Sequence, residues 1–363
     1  MKKTIKIASP ILGKEEFKAV ERVLKSGILA QGPEVEKFEK KVSNYIGVKY
    51  GIATSSGTTA LHTSLLAIGI GKGDEVITTP FTFIATANSI LYCGAKPIFV
   101  DMDEKTFNID TKKIEEKITH KTKAILPVHL YGQPANMKHL IEIAEDHKLF
   151  LIEDAAQAIG AEFNGKKVGS FGDCGIFSFY PTKNITTGEG GMVVTNNKAI
   201  AEKCKKIRNH GEYKRYFVDS LGYNYRMTNI AAAIGLVQLK KLEKFNKKRI
   251  KNAKFLTKHL KGVGDIEVPF VDKNVKHVFH QYTIKTNKRD ELKEFLNKKG
   301  IQAVVYYPLP IHKQPFYKKL GYNDSLPVAE EISKKVLSIP VHPKLTKEDL
   351  QFIVENIKAF FGE

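Results

Sequence analysis

The sequence of 363 residues contains no tryptophan, three cysteines and few arginines. Cys93, Cys174 and Cys204 are odd in number and lack the spacing of a metal motif, so we expect free thiols and no bound metal. No apolar run reaches the roughly 18 residues that a membrane span needs. Ser9, Pro10 and Gly13 also interrupt the stretch where a signal peptide would have its apolar core. These absences predict a cytoplasmic globular protein that does not cross a membrane.

The formal net charge of +19 comes from lysine, because only six of the 58 basic residues are arginine. Many lysines lie beside glutamates in helical stretches such as KEEFKAVERVLKSG and KRDELKEFLNKKG. Nucleic-acid-binding surfaces typically show arginine-rich stripes or basic residues interleaved with aromatic ones, and neither pattern is present. We therefore expect a general attraction to anions rather than binding of nucleic acid.

The length of the chain and its hydrophobic patterns predict two domains, a large one over residues 1–245 and a small one over residues 246–363. In the large domain, apolar strands alternate with helices, which indicates a mostly parallel sheet covered on both faces. A long helical pattern from Thr228 to about Leu260 carries the chain into the small domain. There, HQYTIKT and QAVVYYP are predicted as strands between short helices, which is typical of a compact α+β unit.

The most informative stretch covers residues 149–192. It contains two short apolar runs, at 149–153 and 175–179, which are typical of buried strands. Ligands of parallel sheets bind outside the carboxyl ends of the strands. The polar residues at these two ends are Asp154, Gln157, Ser178 and Lys183.

Lys183 lies between Pro181 and a cluster of glycines at positions 188, 190 and 191, so turns hold it in place rather than a solvated helix. An acid at one strand end and a lysine after the next strand are what a pyridoxal 5'-phosphate (PLP) site requires. The lysine amine forms the Schiff base, and the carboxylate keeps the pyridine nitrogen protonated. We therefore predict a PLP site in which Lys183 and Asp154 are catalytic.

A helix start after the strand GIAT is a candidate phosphate site, because it consists of Ser56, Gly57 and Thr58. Small residues at a helix start leave backbone N–H groups available for a phosphate. Ordinary capping by serine or threonine would give the same pattern, so both interpretations stay open here. A P-loop is excluded, because no Gly-Lys-Ser/Thr follows.

Five separated stretches, in this order, resemble the DegT/DnrJ/StrS family of PLP-dependent nucleotide-sugar aminotransferases. They are SSGTTALHTSLLAIGIGKGDEVITTPFTFIATANSI, AILPVHLYGQPANM, LIEDAAQAIGA, GSFGDCGIFSFYPTKNITTGEGGMVVTN and GYNYRMTNIAAAIGLVQL. The segments YYPLPIHKQP and LSIPVHP extend the similarity, which covers the chain from about Ile7 to Lys358. The resemblance implies the type I fold of PLP transferases, with a seven-stranded sheet in the large domain. It also implies a homodimer whose active sites are shared between the subunits.

The resemblance also implies roles for single residues. Lys183 matches the Schiff-base lysine, and Asp154 matches the acid at the pyridine nitrogen. Gln157 matches a residue beside the ring, and Phe83 matches an aromatic residue that stacks on the cofactor. The positions at the phosphate are Ser56, Gly57, Thr58, Ser178 and Asn224, the last of which the partner subunit supplies.

In this family the substrate is a nucleotide-diphosphate keto sugar, which becomes an amino sugar for surface polysaccharides or other glycans. The amino donor is L-glutamate, and pyridoxamine 5'-phosphate (PMP) is the intermediate form of the cofactor. Tyr307 and His312 match the substrate side, although Tyr306 stands where many members have histidine. GYNYRM is similar to 4-amino-forming members and YYPLPIHKQP to 3-amino-forming ones. The position of amination therefore stays open, as do the sugar and the nucleotide.

Two other functions deserve comparison with an aminotransferase. A PLP- or PMP-dependent sugar dehydratase shares the fold, but that branch has a histidine in place of the Schiff-base lysine, so Lys183 argues against it. A non-catalytic sensory or DNA-binding relative would suit the positive charge. It would also carry a separate helix-turn-helix segment, and the sequence shows none. We therefore expect an aminotransferase.

Overall fold

The computed structural model describes residues 4–363. The strands in this part of the chain are β1 (Tyr50–Thr54), β2 (Glu75–Thr78), β3 (Lys96–Phe99), β4 (Thr122–Leu126), β5 (Phe150–Asp154), β6 (Glu162–Phe163), β7 (Lys166–Lys167), β8 (Cys174–Ser178), β9 (Gly191–Thr195), β10 (Glu212–Lys214), β11 (Phe217–Val218), β12 (Val275–Lys276), β13 (Tyr282–Lys285) and β14 (Val336–Ile339).

The α-helices are α1 (Lys14–Ser26), α2 (Pro33–Ile46), α3 (Gly57–Ala67), α4 (Ala85–Tyr92), α5 (Met137–Asp146), α6 (Lys198–Arg208), α7 (Asn229–Leu260), α8 (Arg289–Lys298), α9 (Pro315–Lys319), α10 (Pro327–Lys335) and α11 (Lys347–Phe361). Short 3-10 helices lie at Thr111–Lys113, Glu115–Lys117, Leu130–Gly132 and Ile311–Lys313. None of the helices described over residues 4–363 is long and apolar enough to cross a membrane.

A seven-stranded sheet forms the centre of the structure, in the order β1-β9-β8-β5-β4-β2-β3. Strand β9 runs antiparallel to its neighbours β1 and β8, and the other neighbouring pairs are parallel. This arrangement confirms the predicted mostly parallel sheet. Six strands point in one direction, so their carboxyl ends lie along one edge, where ligands of such sheets bind.

Helices cover both faces of the sheet because alternate residues of each strand point to opposite sides. Val193 of β9 belongs to a buried cluster with α3, α4 and α6, whereas Val194 belongs to a cluster with α2 and α7. Strands β8 and β9 are buried along almost their whole length. Because both faces of these strands are buried, their sequences are continuous apolar runs and do not alternate with polar residues.

Helix α7 spans 32 residues and joins two hydrophobic cores. Leu242 and Phe245 pack in the cluster below the sheet, whereas Ala253 and Leu256 belong to a separate cluster with β13, β14, α8 and α11. The core therefore changes between Phe245 and Ala253. The predicted division of the chain at residues 245 and 246 remains a prediction.

One expected strand is absent from the described chain: QAVVYYP (302–308) forms a single isolated bridge, at Val304, and no continuous strand. Val304 pairs with Ser338, and the chain then turns toward the sheet, where the backbone O of Tyr306 accepts a hydrogen bond from the hydroxyl of Tyr131. The long-range contact with Tyr131 replaces the ladder that the sequence pattern alone predicts.

Candidate active site

A cavity of about 490 Å³ lies at the carboxyl edge of the sheet. Strands β5 and β8 end at its floor, α3 and α4 begin at its wall, and the loop after β8 passes beside it. Segments 280–281 and 306–307 of the C-terminal part form the opposite wall. The predicted site residues that line this cavity are Ser56, Gly57, Thr58, Phe83, Asp154, Gln157, Ser178, Lys183 and Tyr307.

The carboxylate of Asp154 is buried at the end of β5. Its Oδ2 accepts a hydrogen bond of 2.8 Å from the Thr86 hydroxyl, and its Oδ1 accepts one of 3.2 Å from the backbone N–H of Ala156. Removal from water raises the pKa of Asp154, whereas these two hydrogen bonds and the charge of Lys183 oppose that rise. A cation beside this carboxylate would favour its ionised form.

Lys183 lies on the irregular loop between β8 and β9, and its backbone N–H donates to the O of Tyr180 at 2.8 Å. The loop returns closely to the start of α3, since a side chain on Gly191 would overlap the backbone O of Ser56. Burial lowers the pKa of the Lys183 amine to about 8, although the charge of Asp154 opposes this shift. About a tenth of the amine is therefore neutral, and hence nucleophilic, at pH 7, far more than for an ordinary lysine.

The start of α3 forms a small cradle between Ser56 and Ser178. The Ser56 hydroxyl accepts a hydrogen bond of 3.1 Å from the N–H of Thr59, which is ordinary capping. The first N–H groups of a helix have no partner within the helix, and they attract anions. A Cβ on Gly57 would lie 2.8 Å from the Cβ of Ser178. Glycine thus lets the two chain segments approach, and the start of α3 combines capping with N–H groups suited to an anion.

Gln157 connects the floor of the cavity with the opposite wall. Its Oε1 accepts a hydrogen bond of 2.8 Å from the N–H of Tyr131, and its Nε2 donates to the hydroxyl of Tyr307 at 3.2 Å. The ring of Phe83 forms part of the cavity wall, with its centroid 6.4 Å from that of Tyr307. Two aromatic rings and an oriented amide therefore surround the entrance.

Two predicted site residues lie outside this cavity. The side chain of His312 is fully buried, with its Nε2 3.2 Å from the Oε1 of Glu330. Burial lowers the pKa of His312. This placement gives no support to the predicted substrate contact. Asn224 is exposed and its backbone pairs with Asn209, so it does not line the cavity of its own subunit.

Several residues line the cavity that the sequence did not single out, among them Thr86, Tyr180, His280 and Tyr306. Thr86 lies in the first turn of α4, three residues after Phe83. This spacing of about one helical turn could have indicated that Thr86 faces the same cavity as Phe83. Burial and the charges of Lys183 and Arg249 hold the pKa of His280 well below its ordinary value, so its imidazole is neutral. No local pattern marks His280, because the fold brings it from a distant part of the chain, whereas Tyr306 was noted only as a departure from the histidine of many family members.

Residues 10–358 match the DegT/DnrJ/EryC1/StrS aminotransferase family. The chain belongs to this family. It is 48% identical to a pleiotropic regulatory protein from Geobacillus stearothermophilus, covering 96% of this chain and 94% of that one. It is 43% identical to GDP-perosamine synthase from Caulobacter vibrioides, over 96% of both chains. It is 42% identical to UDP-N-acetyl-3-dehydro-alpha-D-glucosamine 3-aminotransferase from Acidithiobacillus ferrooxidans, and the match covers 95% of this chain and 93% of that one.

Solved structures share the fold over nearly the whole chain. DesV from S. venezuelae, in complex with a ketimine intermediate, has a TM-score of 0.93 at 36% identity and covers 96% of this chain and 95% of its own. NtdA from Bacillus subtilis with bound PMP has a TM-score of 0.90 at 38% identity, and the match covers 97% of this chain and 83% of NtdA. The family member described here is therefore a PLP-dependent aminotransferase. Its cavity fits the cofactor, since it offers an amine, a buried carboxylate and a phosphate cradle.

The cradle generates a prediction about Gly57. Replacement by alanine places a methyl group against Ser178 and separates the helix start from a bound phosphate. Loss of one hydrogen bond to a charged oxygen costs about 1.5–3 kcal/mol, so we expect affinity for PLP to fall about ten- to a hundredfold. The measurement is a titration of cofactor absorbance. Gly71→Ala, at a site with open space around it, is the matched control and should bind as wild type. If Gly57→Ala binds PLP as tightly as wild type does, the start of α3 does not hold the phosphate.

The lowered pKa of the Lys183 amine generates a second prediction. In protein freed of cofactor, acetylation of Lys183 by acetic anhydride should be half-maximal near pH 8, measured by mass spectrometry across pH. Asp154→Asn removes the anion that raises the pKa of Lys183, so the midpoint should move to lower pH. Glu142→Gln, on the exposed face of α5, should leave it in place. A wild-type midpoint near the ordinary lysine value of about 10.4 would show that Lys183 is well solvated.

Proposed function

We propose that this protein transfers the amino group of L-glutamate to the carbonyl carbon of a nucleoside-diphosphate keto sugar, in the synthesis of glycan precursors. The observation that carries the proposal is that Lys183 and Asp154 face one cavity. The opposite wall of this cavity, with Tyr306 and Tyr307, is open to a second substrate. Two of the relatives are named for reactions of UDP- and GDP-linked sugars, which supports the substrate class. A cytoplasmic location is part of the proposal.

Each residue at the site has a distinct role in the proposed reaction. When bound, PLP supplies a carbonyl group that reacts with amines and a ring that withdraws electrons from the carbon being deprotonated. Lys183 would hold the carbonyl carbon, and Asp154 would keep the ring nitrogen protonated. Gly57, Thr58 and Ser178 would bind the phosphate. The Nζ of Lys183 would also accept a proton from the carbon beside the donor nitrogen and return it to a neighbouring carbon. Its lowered pKa suits this task, because a base works best near the ambient pH.

Two alternatives make different predictions. A sugar dehydratase of this fold would not use glutamate as an amino donor. A regulatory protein, as one relative is named, would not depend on the amine of Lys183 for its role. The half-buried Lys183 with its lowered pKa beside Asp154 favours amination, because an ionisable group with a perturbed pKa in a cavity is typical of a functional site.

The first test follows the absorbance of the cofactor. We expect L-glutamate to convert the PLP form to the PMP form. A panel of 3-keto and 4-keto sugars linked to UDP, GDP or dTDP should then identify the acceptor by reversing the change. Lys183→Ala should lose the reaction with glutamate by at least about a thousandfold, as expected for loss of the nucleophile and base. Lys148→Ala, at an exposed position, is the control. Rapid glutamate turnover by the Lys183 variant would exclude the proposed role.

The proposal includes a homodimer in which Asn224 serves the site of the partner subunit. Asn224 is exposed and outside its own cavity. Large apolar side chains are also exposed on and just after the hairpin of β10 and β11, which precedes Asn224 in the chain, and around α1. They are Leu12, Phe17, Leu24, Ile28, Leu29, Tyr213, Tyr216, Phe217, Val218 and Leu221. Exposed apolar side chains at this density are typical of an interface, and a second copy would cover them.

Mixed dimers test whether Asn224 acts across the interface. Lys183→Ala and Asn224→Ala should each be nearly inactive as homodimers. A heterodimer of the two variants combines one intact lysine with the intact Asn224 of the other subunit, so it should regain about half of the wild-type activity. The measurement is glutamate turnover by heterodimers purified with two different tags. If Asn224 acts within its own subunit, the heterodimer will stay inactive, because neither of its sites is complete.

A further inference from the structure

His62 is a buried histidine that the candidate active site does not use. It lies on α3, after Gly57, and does not line the cavity. Its imidazole packs among the rings of Tyr92, Tyr223 and Tyr225, whose centroids are 5.7, 5.1 and 5.9 Å from its own. Burial lowers the pKa of His62, so the imidazole is neutral at pH 7. The helix that begins at the predicted phosphate contacts therefore also carries an aromatic cluster.

One hydrogen bond joins His62 to this cluster. The Nδ1 of His62 lies 3.1 Å from the hydroxyl oxygen of Tyr225. The Nε2 of His62 is buried and has no hydrogen-bond partner among residues 4–363. The rings of Tyr223 and Tyr225 are stacked, with centroids 4.8 Å apart and planes 6° from parallel. Loss of the imidazole would leave the Tyr225 hydroxyl without this bond and would open space beside both rings.

The backbone of Tyr225 is bonded on both sides. Its N–H donates to the O of Arg208 at 3.0 Å, and its O accepts from the N–H of Ser55 at 2.8 Å. The N–H of Tyr223 donates to the O of Ile207 at 2.7 Å. This short segment is thus held between the end of α6 and the residues that lead into α3.

Asn224 lies between the two stacked tyrosines, and its side chain points the other way. Its backbone pairs with Asn209 in an antiparallel bridge, and side chains alternate between the two sides of such an extended segment. Tyr223 and Tyr225 both face His62. The exposed side chain of Asn224 therefore faces away from α3 of its own subunit, as a contact with a second subunit requires.

We propose that His62 is a positioning residue for Asn224, and through it for the cofactor phosphate in the site of the partner subunit. His62 holds the ring of Tyr225, and Tyr225 fixes the direction in which its neighbour Asn224 points. Each α3 then serves two sites, because its start contacts the phosphate of its own site and its side supports the contact made in the other. The inference rests on the proposed function, since it needs a homodimer that shares Asn224.

A role within its own subunit is the competing interpretation of His62, because α3 also begins at the subunit's own phosphate contacts. Mixed dimers separate the two roles, since they place the same two substitutions in two arrangements. In the first dimer, one subunit carries both His62→Leu and Lys183→Ala, and the other is wild type. The site that keeps Lys183 is then in the wild-type subunit, and its Asn224 comes from the subunit without His62.

In the second dimer, one subunit carries His62→Leu and the other carries Lys183→Ala. The site that keeps Lys183 is now in the subunit without His62, but its Asn224 comes from the subunit in which His62 is intact. A dimer of Lys183→Ala with wild type is the reference. Any general effect of the two substitutions on stability is shared by the first and second dimers, so a difference between them reports only the arrangement.

The measurement is the affinity for PLP of the one site that keeps Lys183. Dimers freed of cofactor are titrated with PLP, and sodium borohydride then reduces the bond between the cofactor and the Lys183 amine so that mass spectrometry can count the labelled fraction. We expect half-labelling of the first dimer to need about two to ten times more PLP than the reference, as for loss of one neutral hydrogen bond. The second dimer should match the reference.

Further variants in the first arrangement test the hydrogen bond itself. His62→Asn offers a side-chain amide to the Tyr225 hydroxyl and should restore most of the affinity. Tyr225→Phe should weaken binding as His62→Leu does. Tyr92→Phe is the matched control, because it removes the hydroxyl of another ring packed on His62 that does not bond the imidazole. Thermal unfolding reports whether each dimer is folded.

Three results would overturn the inference. Weaker binding in the second dimer alone would show that His62 supports the start of its own α3. Equal losses in both dimers would indicate a general structural role, and no loss in either would leave His62 without influence on the cofactor. Failure of the proposed function is distinguishable from these results, because labelling of Lys183 needs no glutamate and the heterodimer of Lys183→Ala with Asn224→Ala tests the shared site directly.

Discussion

The Asp154 carboxylate and the Lys183 amine are removed from water in the same cavity, and the rest of the site depends on keeping them there. Burial disfavours the charged form of both groups, whereas their mutual attraction favours it. The balance leaves the lysine with a pKa of about 8. Solvation by bulk water would return both groups to their ordinary behaviour. The surrounding fold therefore acts on reactivity mainly by fixing how much water reaches these two side chains.

The sequence predicted the parts of this site that lie close together in the chain. Asp154, Gln157, Ser178 and Lys183 follow two buried strands, and the rule for parallel sheets brings such strand ends to one edge. The structure places all four at that edge. Ser56 could not be assigned from the sequence alone to capping or to a phosphate cradle, because the close approach of Gly57 to Ser178 is a tertiary contact.

Residues brought from far away in the chain were harder to predict. His280 has no local pattern that distinguishes it from other buried histidines, and Tyr306 was noted only for standing where many family members have histidine. His312 is an error of a different kind. Its motif predicted a contact with the substrate, but its ring points toward Glu330. A motif gives the position of a residue along the chain, whereas packing of the surrounding segment decides which way its side chain points.

Three sets of hydrogen bonds fix segments of the C-terminal part: the first joins residues 279–280 to α7, and the other two join segments to the sheet domain. Arg249 donates to the backbone O atoms of Phe279 and His280, Asp101 accepts from the N–H groups at the start of α10, and Gln157 donates to Tyr307. These bonds fix the opposite wall of the cavity independently of any ligand. Such preorganisation lowers the entropy that binding would otherwise lose.

The division of the cavity between two stretches of chain has a consequence for how this protein diversifies. The predicted cofactor contacts that one subunit supplies to its own cavity come from residues 56–183, whereas residues 280–281 and 306–307 supply the opposite wall. Substitutions at these four positions would therefore change the wall opposite Lys183 and leave the groups at the floor of the cavity as they are.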